Sequence, residues 1–131
     1  MSTQNMHVRF GFGVVRAYLN GPIDLPQFIE QIFAAVELER YEFGPESVHV
    51  AYRIGDSVVL IEAGALPPKV SPWTGAVYVY VEDVDAIYDR ALKLGAKSVA
   101  KPEDKPYQER SAGFKDTGGN TWWIATYTGS Q

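Results

Sequence analysis

The feature that most constrains this chain is a pair of adjacent tryptophans, Trp122 and Trp123, in the stretch K-D-T-G-G-N-T-W-W-I-A-T-Y at residues 115–127. The aromatic and β-branched residues after the glycines predict a strand, in which successive side chains point to opposite faces of a sheet. One tryptophan can then pack into a core beneath the sheet. The second requires that the other face is also covered, or that this face lines a pocket.

Composition narrows the class of protein. A chain of 131 residues with 46% hydrophobic and 21% charged residues is typical of one soluble domain with a proper core. The absence of cysteine excludes disulfides, thiolate nucleophiles and Cys-ligated zinc. The formal charge of −4, without a cluster of Lys and Arg, argues against a nucleic-acid partner. Without a signal-peptide pattern or an apolar run of about 20 residues, we expect a cytoplasmic protein with no membrane partner.

The first half predicts a strand, a short helix and three further strands. Asn20, Gly21 and Pro22 end the first strand, and Asp24 is the predicted N-cap of the helix. Gly55-Asp56 between two β-rich runs indicates a hairpin. The predicted elements lie at residues 8–19, 25–35, 36–43, 48–54 and 57–63, and a proline-rich linker follows at residues 64–75.

The second half repeats this order. Asp83 is the predicted cap of a helix whose buried stripe ends at Leu94, and Gly95 terminates it. A polar loop is predicted at residues 101–108. The predicted strands are residues 76–82, 97–100, 110–115 and 121–127. The whole is an α+β domain of two βαβββ modules, at about residues 8–63 and 76–127, in which one helix covers one face of each sheet.

Two segments of the second half resemble a known protein family. V-Y-V-Y-V-E-D-V-D-A-I-Y-D-R-A-L-K-L-G-A (residues 77–96) and R-S-A-G-F-K-D-T-G-G-N-T-W-W-I-A-T resemble the vicinal oxygen chelate superfamily, and more narrowly its glyoxalase/bleomycin-resistance/dioxygenase-like proteins. R-I-G-D-S-V-V-L-I-E (residues 53–62) is the best match in the first half. The resemblance implies two βαβββ modules whose sheets curl around a shared cleft.

The resemblance also implies four metal ligands, usually His and Glu, on the first and last strands of each module. In the second half these positions fall on Ala76 and Trp123, and neither side chain offers a lone pair to a metal. In the first half Glu62 fits one position, while the other falls within residues 14–18, where no His, Asp or Glu occurs. Metal sites need three or four protein ligands, so we predict that this chain binds no metal or other cofactor.

The same positions assign the faces of the strands. Trp123, Tyr78 and Tyr80 are predicted to line the cleft, where aromatic rings and tyrosine hydroxyls suit a flat, partly apolar ligand. The alternative is that these aromatic residues pack the two sheets together. The residues predicted to face the helix-side core are Val77, Val79, Val81, Trp122 and Ile124.

Polar and linker residues complete the candidate binding site. Glu62 is either an orphaned ligand, a general base or a solvated carboxylate, and His49 is either its acid–base partner or a surface histidine. Arg53 and Arg110 are candidates to clamp an anion, or else cover a sheet edge with their stems. Trp73 caps the cleft or anchors a subunit partner. No Ser-His-Asp spacing or phosphate loop occurs, so no catalytic residue is assigned.

We therefore predict a metal-independent member of this superfamily that binds a small, partly aromatic organic molecule without turnover. The resemblance also implies a homodimer. The alternative is a metal-dependent lyase, extradiol dioxygenase or epimerase of the same superfamily, which would need ligands such as Glu62 and His49. A third interpretation is a dimerisation or regulatory module without a small ligand.

Overall fold

The computed structural model describes residues 6–130 and contains two four-stranded sheets with one helix each. The sheet orders are β1-β4-β3-β2 and β5-β8-β7-β6, with the first and last strands of each module parallel. The first module comprises β1 (Ala17–Gly21), α1 (Leu25–Phe33), β2 (Val36–Glu42), β3 (Ser47–Ile54) and β4 (Ser57–Gly64). The second comprises β5 (Ala76–Tyr80), α2 (Val84–Lys93), β6 (Lys97–Lys105), β7 (Glu109–Lys115) and β8 (Thr121–Tyr127). The predicted α+β fold of two βαβββ modules is confirmed.

The two modules share one hydrophobic core, built from the helices and the sheet faces beneath them. Trp122 is fully buried there, with its ring centroid 4.9 Å from that of Phe33 on α1. Phe28 of α1 meets Phe114 of β7 edge-on at 6.5 Å. The predicted stripe of α2 is wrong at its last position, because Leu94 follows the helix and is 36% exposed.

The Asp116–Asn120 turn ties the modules together. The Asp116 carboxylate accepts hydrogen bonds from the backbone N–H of Gly118 at 2.8 Å and from Trp122 Nε1 at 2.8 Å. Asn120 donates to the backbone oxygen of Asn20 in β1 at 3.1 Å, and its own Oδ1 accepts from Gly75 N–H. These groups are buried and satisfied, so the motif before the two tryptophans holds β1, the linker and β8 in place.

Two further local predictions were wrong. Residues 9–16 are not a strand: Arg9–Gly11 forms a 3₁₀ turn, positive φ angles interrupt the backbone, and the Arg16 guanidinium bonds the carbonyl of Gly13 at 2.7 Å. Asp24 occupies the N-cap position of α1, as predicted, but its side chain makes no capping hydrogen bond, whereas the Asp83 side chain caps α2 by accepting from Ala86 N–H at 3.1 Å.

The other error concerns β6, which continues to Lys105 through the segment that was predicted to be a loop. It is an edge strand with two register irregularities, where proline can be accommodated without losing a ladder bond. No helix within residues 6–130 is long and apolar enough to cross a membrane.

Candidate functional site

The two adjacent tryptophans point to opposite faces of β8. Trp122 enters the core, whereas Trp123 is half-buried on the face away from the helices. Gly113 lies directly opposite Trp123 on β7, and a Cβ atom there would approach the indole ring to 2.7 Å. Trp123 therefore packs over the bare backbone of its neighbour, and glycine is required for that packing.

A polar cluster lies on the corresponding face of the first module. Glu62 of β4 pairs with His49 of β3 across the ladder, and His49 Nδ1 contacts Glu62 Oε1. The Tyr18 hydroxyl of β1 donates to the same oxygen at 3.2 Å. Partial burial, followed by the charge and hydrogen bond of Glu62, raises the pKa of Tyr18. The structure thus places His49 beside Glu62.

A cavity lies beside this cluster, and Trp73 from the linker forms part of its wall. Its indole Nε1 donates to the backbone oxygen of Tyr18 at 2.9 Å, and the two rings lie 4.9 Å apart, tilted by 47°. The cavity has a volume of about 720 Å³, within the range usual for small-molecule sites. The lining residues include Tyr18, Phe43, Glu62, Leu66, Val70 and Trp73.

A second polar cluster, around Glu109, was missed in the sequence. Tyr78 and Tyr80 of β5 each donate a hydroxyl to a different oxygen of the Glu109 carboxylate. These hydrogen bonds lower the pKa of Glu109, and the same bonds, with burial, raise the pKa values of both tyrosines. The sequence contained a signal for it, since Glu109 shares strand parity with Ser111 and Gly113, which oppose the cleft-side residues of β8.

The two candidate arginines are engaged elsewhere. Arg110 lies on the helix side of β7 and forms a bidentate ion pair with Asp85 of α2, at 2.8 and 2.9 Å, which lowers the pKa of Asp85. Arg53 is exposed at the β3–β4 turn and donates to the backbone oxygen of Gly55 at 3.0 Å. Neither joins Glu62 and His49.

The strand register locates the four positions where the family resemblance places metal ligands. In the second module, Ala76 of β5 lies opposite the residue two positions before Trp123 of β8. In the first module, Tyr18 of β1 lies opposite the residue two positions before Glu62 of β4. Ala76 and Tyr18 therefore occupy equivalent positions, and so do Trp123 and Glu62. Only Glu62 carries a carboxylate, and His49 brings the number of nearby His, Asp and Glu side chains to two. Within residues 6–130 no three His, Cys, Asp or Glu side chains group to hold an ion. The donor set does not fit the metal of the family.

Comparisons of sequence place the chain among known proteins. The model of the Glyoxalase/Bleomycin resistance protein/Dioxygenase superfamily matches residues 9–124. Uncharacterized proteins of Mycobacterium bovis and Mycobacterium tuberculosis are 30% identical over 72% of this chain. The matches cover 69% and 62% of those relatives, so the chain spans less than two thirds of the M. tuberculosis protein.

Solved structures share the fold. TioX from Micromonospora sp. ML1 superposes with a TM-score of 0.71 at 24% identity, covering 88% of this chain and 98% of TioX. The fosfomycin resistance protein FosX from Listeria monocytogenes gives a TM-score of 0.63 at 19% identity, covering 90% and 93%. With two βαβββ modules and a family match across both, the chain belongs to the Glyoxalase/Bleomycin resistance protein/Dioxygenase superfamily.

Proposed function

We propose that this protein binds a small, partly aromatic organic molecule, without a metal, in the cavity of the first module. The observation that supports this most strongly is the cavity itself, with the rings of Tyr18 and Trp73 on one wall and the Glu62 carboxylate at its border. Aromatic walls stack flat ligands, and a single fixed carboxylate orients a donor group. Trp123, Tyr78 and Tyr80 lie outside this cavity, so their contribution to binding is secondary.

Metal independence rests on the donor set. A FosX crystal from Listeria monocytogenes contains Mn(II) and sulfate ion. In this chain, the four equivalent positions provide one carboxylate (Glu62), one phenol (Tyr18), one indole (Trp123) and one methyl group (Ala76). Dialysis of untagged protein against manganese, iron, nickel and zinc should leave no stoichiometric ion by elemental analysis. Retention of one ion per chain would overturn this part of the proposal.

Ligand binding is tested by titrating a library of aromatic compounds while following tryptophan fluorescence and melting temperature. Trp73→Leu removes one wall of the cavity, and we expect at least a tenfold loss of affinity, about 1.4 kcal/mol. Tyr107→Leu, an exposed aromatic residue outside the cavity, serves as the control. If no compound changes either signal, or if Trp73→Leu binds as tightly as the wild type, the proposed site is wrong.

We also propose that the protein is a homodimer in which a second copy covers the sheet faces that lie away from the helices. The support is the exposure of aromatic residues there, with Tyr41 of β2 46% and Tyr80 of β5 62% exposed. Contiguous exposed apolar surface commonly marks an interaction site. Sedimentation equilibrium should give twice the chain mass, and a monomer at micromolar concentration would contradict the proposal.

A further inference from the structure

A second cavity, distinct from the one proposed above, lies on the second module beside the Glu109 cluster. Its volume is about 650 Å³. The lining residues are Tyr80, Val81, Glu82, Glu109 and Tyr127. Two tyrosines and two carboxylates therefore border the same space, and none of the lining side chains is positively charged.

The charge on Glu109 has no cationic partner among residues 6–130. The residue is only 9% exposed, yet its two oxygens accept from the neutral hydroxyls of Tyr78 and Tyr80. Hydroxyls orient and stabilise a carboxylate, but they do not neutralise it. The cross-strand neighbour Lys105 does not do so either, because its ammonium lies on Glu103 at 3.5 Å. Covered charges in proteins are normally paired with an opposite charge, and residues 6–130 provide none for Glu109.

The chemistry of the cavity specifies the kind of cation. The faces of tyrosine rings attract ammonium and quaternary ammonium groups through their electron-rich π-systems, and a nearby carboxylate strengthens that attraction. Glu82 and Glu109 would repel carboxylates and phosphates. We propose that Tyr80, Tyr127, Glu82 and Glu109 form a binding site for a small organic ammonium ion. The site shares no residue with the Tyr18–Trp73–Glu62 cavity and does not depend on the function proposed there.

The test uses two probes that differ in charge alone: choline, and its neutral isostere 3,3-dimethyl-1-butanol. Titrations followed by isothermal calorimetry and by the ligand methyl resonances should show choline binding at least tenfold tighter than the alcohol. Glu109→Gln should reduce choline affinity at least tenfold and leave the weak binding of the alcohol unchanged. Asp89→Asn, an equal charge change on the exposed side of α2, should have no effect.

A second variant tests the same site without changing its buried carboxylate. Glu82→Gln is an exposed substitution that should not affect folding, and it should weaken choline severalfold even if Glu109→Gln fails to fold. Equal affinity for choline and the alcohol, or unchanged choline affinity in both Gln variants, would overturn the proposal. So would conversion of a dimer to a monomer by Glu109→Gln without any choline effect, because a side chain of a second copy would then be the cation that pairs with Glu109.

Discussion

The two modules have the same topology but use equivalent positions for different purposes. In the first module, Glu62 pairs with His49 across the ladder, and Tyr18 of the first strand reaches the same carboxylate. Three polar side chains of three strands thus form one connected group on the face away from the helices. The linker tryptophan, Trp73, closes a cavity over one side of it.

In the second module the equivalent positions hold an apolar arrangement. Trp123 stands where Glu62 would be expected, Gly113 stands opposite it, and Ala76 occupies the first-strand position. The polar chemistry of this module lies further along the sheet, at Glu109. The same backbone arrangement therefore holds a polar cluster in one module and a packed tryptophan in the other, and the difference lies in the side chains.

The hairpins that join the last two strands differ in the same way, and this difference carries the largest expected effect. Asp116 in the second hairpin is buried and accepts from Gly118, Asn120 and Trp122, whereas Asp56 in the first is exposed with only a 3.4 Å contact to Ser57. Asp116→Ala leaves several buried donors unsatisfied, at about 1–3 kcal/mol each. We expect a loss of about 3–5 kcal/mol in the free energy of unfolding, measured by urea denaturation.

Asp56→Ala is the matched control in the first module. It removes a solvated carboxylate, so its effect should stay within about 0.5 kcal/mol. Similar losses for the two variants would show that the buried network of the second hairpin contributes nothing beyond an ordinary turn.

Gly113 and His49 occupy equivalent positions in the two modules, and substitutions there should change the free energy of unfolding less than Asp116→Ala does. A Cβ at residue 113 would meet two indole atoms of Trp123 at 2.7 Å, so Gly113→Ala must displace the ring, at about 1–3 kcal/mol for an overpacked site. His49→Ala removes a partly exposed contact with Glu62 and should cost under about 1 kcal/mol. Thermal unfolding measures both, and tryptophan emission should shift in Gly113→Ala alone. Wild-type stability and emission in Gly113→Ala would mean that Trp123 is not held against β7.

The sequence was informative where structure depends on local chemistry. Alternation assigned Trp122 to the core, the Gly55-Asp56 pair marked a hairpin, and Asp83 was recognised as a helix cap. It failed at residues 9–16, where Arg16 holds the backbone in a loop through carbonyls that no propensity scale includes. It failed again at β6, where pairing to β7 overrode the proline signal.

The candidate site was harder to predict, because its contacts join residues distant in sequence. Tyr18 meets Glu62 only through the parallel register of β1 and β4, which no local pattern specifies. Arg110 was predicted as an anion clamp because the sequence does not show that Asp85 of α2 lies against it. Glu109 was missed because the predicted strand began one residue too late, and that single position hid the second polar cluster.

The smallest expected effect is on the pKa values of the tyrosines that contact Glu109 and Glu62, and it allows the two carboxylates to be compared directly. Glu109 holds two hydroxyls, and their hydrogen bonds to it are the first cause of the raised pKa values of Tyr78 and Tyr80. Partial burial is the first cause for Tyr18, and Glu62 comes second. Glu109→Gln should therefore lower the pKa values of its tyrosines towards about 10, further than Glu62→Gln lowers that of Tyr18. The absorbance of phenolate measures both.

The sign of the accompanying stability change follows from linkage. The pKa of Glu109 is lowered in the folded state, so its stabilisation is present above about pH 4.3 and is lost as the pH falls through the lowered value. The raised pKa values of Tyr78 and Tyr80 act oppositely: their stabilisation is present below about pH 10 and is lost as the pH rises through the raised values. The stability advantage of wild type over Glu109→Gln should form a plateau between about pH 5 and 9. Equal tyrosine shifts in the two Gln variants would mean that both modules hold their carboxylates alike, and the distinction between them would then rest on Trp123 and Gly113 alone.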